Sequence, residues 1–382
     1  MVETVEREAY DIIVVGGGIA GVSAAVAAAR SGKKVFLMEK SVNLGGLATN
    51  GLISWYEPLC DGQGKQMIFG LAEELIQLSV KYCFDNLPVC WGGSNEEKKR
   101  YATSFSPTVF SLALDRFVVE NGAKIRFDTY ATYPVMEKQH CTGVICESAN
   151  GREFFPATVI IDATGDASIC HRAGMPTVVG ENYMSYIAHY YDNDVIRAYM
   201  ESGSTCNFRK WMNSGSDLAG NGHPKGLGML KGDTAEDITE YLLYGKKQML
   251  ERIKSRDKNS FDIMALPAMP QFRKIRRIAG AADFEAVDGL EFADFIGDCG
   301  DFRPCGVGKH YQIPYRALYH PEFDNILACG RIISAPEGDG WEVARVIPVC
   351  ALTGEAAGKA AAKAIDDGIA VTEVKYKELR ER

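Results

Sequence analysis

The sequence predicts an α/β protein in which a three-layer unit with a parallel sheet is assembled from the first and last segments and interrupted by an inserted α+β unit. Three observations predict it. Residues Asp11 to Lys40 read as strand, glycine turn, alanine-rich helix and second strand. An apolar run, "ATVIID", enters another glycine turn at Gly165. A third apolar strand, Asn325 to Cys329, precedes a further helix of small residues. Strands and helices alternating in this way pack as a parallel sheet covered on both faces.

In the opening element, Ile12, Ile13, Val14 and Val15 favour a strand. Gly16, Gly18 and Gly21 follow in the G-x-G-x-x-G register. Gly16 permits the tight turn, Gly18 lets a pyrophosphate approach the backbone, and Gly21 lets helix and strand pack closely. The N–H groups of the first helical turn, at Ile19 and Ala20, face two phosphates, and the helix dipole favours negative charge there. Val35 to Met38 form the second strand, which runs out at Glu39 and Lys40. Glu39 stands where an acidic residue hydrogen-bonds a ribose 2′-OH. This order within about thirty residues is that of a Rossmann-like dinucleotide unit. It leaves FAD and NAD(P) both open.

After Glu39 comes a long Gly-, Asn- and Ser-rich loop, a kind of segment that beside a nucleotide site is more often functional than idle. Apolar residues at helical spacing from Leu71 to Tyr82 predict a helix. Asn86 to Ser106 reads as a surface excursion, and Pro107 to Gly122 as a helix with proline at its start and glycine at its stop. Short strands follow at Lys124–Phe127, Ala131–Glu137, Gly143–Glu147 and Arg152–Phe155, the last three of which suggest an antiparallel meander. From Ala173 to Tyr311 aromatics and glycines mix around one charged amphipathic helix, Thr234 to Lys254. The last helix spans about Val349 to Asp367. The expected units are therefore 1–172 and 312–382 for the dinucleotide domain and 173–311 for an inserted substrate domain.

The chain of 382 residues is 46% hydrophobic and 24% charged, the balance of a globular protein, and its net charge is −8. That charge offers no bulk attraction to nucleic acid or anionic membrane. Eleven cysteines without a C-x-x-C pair argue against a disulfide framework and a zinc site, so no metal is expected. Reduced thiols point to the cytoplasm. The acidic, polar "MVETVEREAYD" is no signal peptide, and no apolar stretch is long enough for membrane insertion.

Three segments together resemble the FAD-dependent oxidoreductase family of the glutathione-reductase-like flavoproteins. They are the opening unit with "LGGLATNG", the "IIDATGD" turn, and "YQIPYRALYHPEFDNILACGRIISA…ARVIPVCALTGEAAGKAAA". "FRKIRRIAG" resembles the family's R-E-S-R-R-I-x-G, with Lys274 and Ile275 in place of Glu and Ser. The resemblance implies a Rossmann-like three-layer FAD-binding domain with an inserted substrate domain, and FAD as cofactor. It implies Gly45, Gly46, Leu47, Ala48 and Thr49 along the ribityl chain and flavin edge, and the backbone of Ala131 at adenine. Ala163, Thr164, Gly165 and Asp166 would close over the dinucleotide. Gly330 and Arg331 would lie at the strand end nearest the flavin, and the helix start around Val346 and Pro348 at the flavin pyrimidine. Covalently flavinylated relatives carry a histidine where this chain reads "GLATNG", so noncovalent FAD is expected.

A flavin carries out the redox step, and the protein supplies orientation, charge and an acid or base. Candidates are His310, whose ordinary pKa lies near neutrality, Glu342 with its neighbours Glu337 and Asp339, and Arg276 and Arg316 as carboxylate clamps. The plainer readings are a surface histidine and structural ion pairs. Tyr311 and Tyr315 are core residues or donors, Cys60 a reactive thiol, Cys350 a buried one. Arg273, Arg276 and Arg277 with nearby aromatics suit a compact pocket for a small polar or carboxylated molecule. No second strand–GxGxxG–helix unit is present, so an external electron acceptor or donor is expected. The expected activity is hydride transfer between a small organic substrate and FAD. The rivals are a flavin-dependent monooxygenase or RNA-modifying enzyme, the latter disfavoured by charge, and a flavin-bound sensor or assembly protein without turnover.

Overall fold

A computed structural model describes residues 4–87, 102–203 and 209–380. The β-branched run forms β1 (Tyr10–Val15), the small residues form α1 (Ile19–Arg30), and β2 (Val35–Met38) follows. α2 (Leu71–Val80) and α3 (Pro107–Glu120) come next; Ser106 caps α3 by accepting from the Val109 N–H. The excursion expected from Asn86 to Ser106 lies largely outside the described residues. β3 (Lys124–Arg126), β4 (Tyr130–Glu137), β5 (His140–Ser148) and β6 (Gly151–Asp162) complete the first pass.

The parallel sheet has the order β3–β2–β1–β6. β6 corrects one expectation. Arg152–Phe155 and the apolar run after it are a single strand, because each half has its own partners. Its first half pairs antiparallel with β5, and its second half pairs parallel with β1, from Tyr10 opposite Ala157 to Val15 opposite Asp162.

After α4 (Ser168–Arg172) and β7 (Thr177–Val179) comes the inserted unit: β8 (Ser185–Asp192), α5 (Asn193–Ser202), β9 (Lys210–Gly215), α6 (Ala235–Lys254) and β10 (Phe261–Ala265). Its three-stranded sheet has the order β9–β8–β10. Met184, Tyr186, Met212, Tyr241, Met249 and Phe272 fill its core. Gly245 lets α6 approach β8 closely, since a Cβ there would strike the Tyr186 ring. β11 (Arg276–Ile278) then pairs with β7, and β12 (Phe295–Gly300) with β13 (His310–Pro314). Phe284, Ile296, Cys299 and Tyr311 of this stretch are buried in the same core as α1, not in that of the inserted sheet.

β14 (Ile326–Ala328) joins β6 in parallel. α7 (Asp339–Ala344) leads directly into α8 (Ile347–Asp367). α8 lies on α1, backbone against backbone. A Cβ at Gly354 would run into the Ala20 carbonyl, and one at Gly358 into that of Ala24. Among the described residues no helix is long and apolar enough to cross a membrane.

Candidate active site

The glycine turn separates two demands on the backbone. Gly16 has φ +101°, and a Cβ there would lie 2.6 Å from the Ala163 carbonyl oxygen. A Cβ at Gly21 would run into the Gly16 carbonyl oxygen. Protein packing explains both. Gly18 is different: its φ is −65°, and an added Cβ would meet no protein atom within 4 Å. The fold itself makes no demand for glycine there, whereas a pyrophosphate lying on the backbone does.

Glu39 supports the same reading. It is buried at the end of β2, and its Oε2 and Oε1 accept from the N–H groups of Gly17 (2.6 Å) and Ser41 (2.8 Å). A carboxylate has about four lone-pair positions, so capacity remains for a ribose hydroxyl. Lys40 beside it is exposed. No side chain caps the N-terminus of α1, and none caps α8, whose Ncap is Val346 with Pro348 in the first turn. The uncapped N–H groups at the starts of α1 and α8 suit a pyrophosphate and an electron-rich ring. The residues present therefore fit a dinucleotide.

A strap from Leu44 to Ser54 ties this cradle to the inserted unit. The Gly45 N–H donates to the Gly17 carbonyl (2.8 Å), and Gly46 to Ala48 form a short 3-10 turn, with Gly46 closing on Gly18. Leu47 is half-buried and Ala48 buried, and the Thr49 hydroxyl is committed to the Leu44 carbonyl (2.5 Å). The far end is gripped by side chains that sequence reasoning missed. Gln271 donates to the Gly51 carbonyl (2.6 Å) and accepts from the Ile187 N–H (2.8 Å). The His189 Nε2 lies 3.1 Å from the Leu52 carbonyl and 3.3 Å from the Ser54 hydroxyl. Burial pushes the His189 pKa down to about 4. The sequence signal was the alternation in "SYIAHYYD", which puts Ser185, Ile187 and His189 on one face of β8.

The second glycine turn is organised by another missed residue. Asp162 is fully buried and accepts from the Thr164 N–H and hydroxyl and from the N–H groups of Ile169 and Cys170. Burial raises its pKa, only partly offset by those donors. Asp166 accepts from the Ser168 N–H, so Thr164 and Asp166 spend their side chains shaping the turn. The buried Arg331 Nε donates to the Gly165 carbonyl (2.6 Å), and burial lowers its pKa. Gly330 has φ +78°, and a Cβ there would lie 2.9 Å from the Ala20 methyl group. Ala131 is buried in β4, and Arg172 donates to the Thr132 carbonyl beside it (2.8 Å).

The four candidates for chemistry do not converge. His310 stands on the β12–β13 hairpin with its Nδ1 3.4 Å from Asp298, a side chain 41% exposed. Arg316 is held by Asp294 at 3.1 Å, which raises its pKa. Arg276 donates to the carbonyl (3.0 Å) and carboxylate (3.3 Å) of Asp233. Both guanidinium groups are thus engaged in protein ion pairs. Only Glu342 lies at the junction of α7 and α8, where Arg345 donates to it and Lys274 lies 3.7 Å away. Burial alone would raise the Glu342 pKa, but Arg345, Lys274 and Arg273 outweigh it and hold the group ionised. Cys350, in the first turns of α8, is pushed up to about 12 by burial, so it is a thiol and not a thiolate. Tyr311 donates to the buried Asp301 (2.8 Å), which also holds Arg303.

Comparison with known proteins gives the family and the fold. A digeranylgeranylglycerophospholipid reductase of Methanoculleus marisnigri is 27% identical over 288 residues, covering 71% of this chain and 64% of the relative. The chain spans less than two thirds of the length of the curated relatives it matches. A geranylgeranyl bacteriochlorophyll reductase-like protein from Thermoplasma acidophilum aligns with a TM-score of 0.51 at 14% identity, over 98% of this chain and 83% of that one. A flavoprotein/dehydrogenase from Cytophaga hutchinsonii aligns with a TM-score of 0.51 at 15% identity, over 98% and 82%. These two structures show the shared fold. Residues 11–188 and 234–382 match the family described as FAD dependent oxidoreductase, and with the glycine cradle, Glu39 and the two uncapped helices in place, the chain belongs to that family.

Proposed function

We propose that this protein transfers a hydride between a small organic substrate and noncovalently bound FAD. The observation that carries the reading is Gly18, a glycine required by no protein contact at the mouth of an uncapped helix. Bound FAD would supply the electron-accepting ring. Gly16 to Gly21 and Glu39 would hold its adenosine and pyrophosphate, and Val346 and Pro348 would start the helix that stabilises charge on the ring. The strap would fix the ring edge against β8 and exclude water there. Glu342, ionised between Arg345 and Lys274, orders the charges at the α7–α8 junction rather than donating a proton. The pattern "GLATNG" offers no imidazole or thiol for a covalent link. The nine described cysteines are all free, which supports a reducing compartment such as the cytoplasm. An external acceptor or donor would complete the cycle.

Purified protein should be yellow and should release FAD, not FMN, on denaturation. Anaerobic mixing with small metabolites should bleach the flavin, while NADH and NADPH act poorly. A colourless protein that FAD cannot reconstitute sinks the reading. So does saturable reduction by a nicotinamide at ordinary turnover rates, above about 1 per second.

A further inference from the structure

The segment Gln271–Lys274 runs between the two halves of the site. Gln271 holds the strap at Gly51, and Lys274 is paired with Glu337 and lies 3.7 Å from Glu342, beside the start of α8. Its backbone is fixed as well: the N–H groups of Arg273 and Lys274 both donate to the Asn182 Oδ1 at 3.0 Å. Arg273 is thus rigidly presented between strap and α7.

Three cations gather here, and two carboxylates answer them. Lys274 is matched by Glu337, and Arg345 by Glu342, which takes hydrogen bonds from both the Nε and a terminal nitrogen of that guanidinium. Among the described residues no side chain or carbonyl accepts a hydrogen bond from the Arg273 guanidinium, and no carboxylate lies within ion-pair distance. Glu342, Tyr241 and Asp217 act on Arg273 only from further away; the Glu342 carboxylate is taken by Arg345, and the Asp217 oxygens by Ala219 and Asn221 in their own turn. Arg273 is nevertheless partly buried, and burial followed by the charge of Arg345 disfavours its cation. The contrast with Arg276 is direct: three residues on, the same side chain is satisfied by Asp233. A half-buried guanidinium whose five donors find no acceptor in the protein is open to an anion that completes it.

We propose that Arg273 is the docking residue for a substrate carboxylate, so that the substrate class of this site is a small carboxylic acid. This inference rests on the proposed flavin reading, since it places the carboxylate beside the α7–α8 junction where the ring would lie. A planar, bidentate carboxylate matches the guanidinium fork and brings the local charges to three against three. The matched amide would bring no compensating charge.

The test uses the FAD-loaded protein and the probes acetate, malate and benzoate, each against its amide. The absorbance of the bound flavin reports binding, and released FAD reports cofactor content separately. At least one carboxylate should perturb the flavin saturably, and its amide should bind roughly tenfold more weakly or not at all. Arg273→Met should lose that carboxylate response by roughly tenfold or more while keeping FAD, and Arg273→Lys should retain part of it. Without carboxylate, Arg273→Met should melt no lower than the parent, because a structural ion pair is not being broken. With carboxylate, only the parent should gain melting temperature. Equal response to acid and amide, no response to any carboxylate, unchanged binding in Arg273→Met, or a destabilised Arg273→Met would each overturn the docking role. Failure of the parent to hold FAD would instead overturn the flavin reading, and the two failures are told apart by the released cofactor.

Discussion

The α1–α8 contact and the contact of β8 with the strap frame the same site by opposite means. In the first, backbones touch because Gly354 and Gly358 withhold a side chain, as Gly21 does where α1 meets the glycine turn, and alanines fill what remains. In the second, buried polar atoms of Gln271, His189 and Ser54 grip carbonyls and one another. One contact depends on atoms that are missing, the other on atoms that must find partners. The first tolerates no addition, and the second tolerates no change of protonation.

Gly21→Val should sharpen this contrast most. Its Cβ collides with a backbone oxygen that cannot move without opening the turn, so a loss of about 4 kcal/mol or more is expected. Thermal melting checks it, and a variant melting within a few degrees of the parent breaks the close-packing half of the comparison. Gly18→Val, three residues earlier, should separate fold from cofactor. The apoprotein should lose about 1 kcal/mol or less, yet FAD should no longer copurify, because the added branch occupies the approach to the backbone. Retention of one FAD per chain would show that Gly18 has no ligand to admit.

His189→Gln addresses the second contact. The folded pKa near 4 lies below the ordinary 6.5, so the unfolded chain takes up a proton that the folded one refuses. The contribution is fully present above pH 6.5 and is lost as pH falls toward 4, about 3 kcal/mol across that window. Urea unfolding between pH 7 and 4 should show this acid slope in the parent and a flatter one in the variant. Equal slopes would remove His189 from the explanation. The smallest effect belongs to Arg316→Met, whose half-exposed pair with Asp294 is worth about 0.5 kcal/mol. Substrate-dependent flavin reduction should not change. A tenfold fall would restore Arg316 as a clamp.

The region held by missing atoms was largely legible in the sequence. Gly16 and Gly21 encode the turn and the close approach of α1 in fixed spacing, Glu39 the end of its strand, and α8 announces its small face. The region held by partners was not. Nothing in "FRKIRR" separates Arg273 from Arg276; the difference is that Asp233, forty-odd positions away, folds back onto one of them. Asp162 was visible but read as part of a turn, although an acid ending an apolar strand must collect donors to stay buried. β6 was read as two strands because its partners change halfway along, a fact held by β5 and β1 rather than by β6 itself.

The pairing of α1 with α8 also sets a timetable. Ala24 leaves the ribosome early and Gly358 late, so the face of α1 that these residues share stays uncovered for roughly half a minute of synthesis at about ten residues per second. The inserted unit draws its core from residues between Met184 and Ile275 and is complete well before then. The nascent chain thus carries a finished inserted sheet on an unfinished parallel sheet. Until α8 emerges, nothing in its own chain covers that face of α1, and whatever shields it must come from outside.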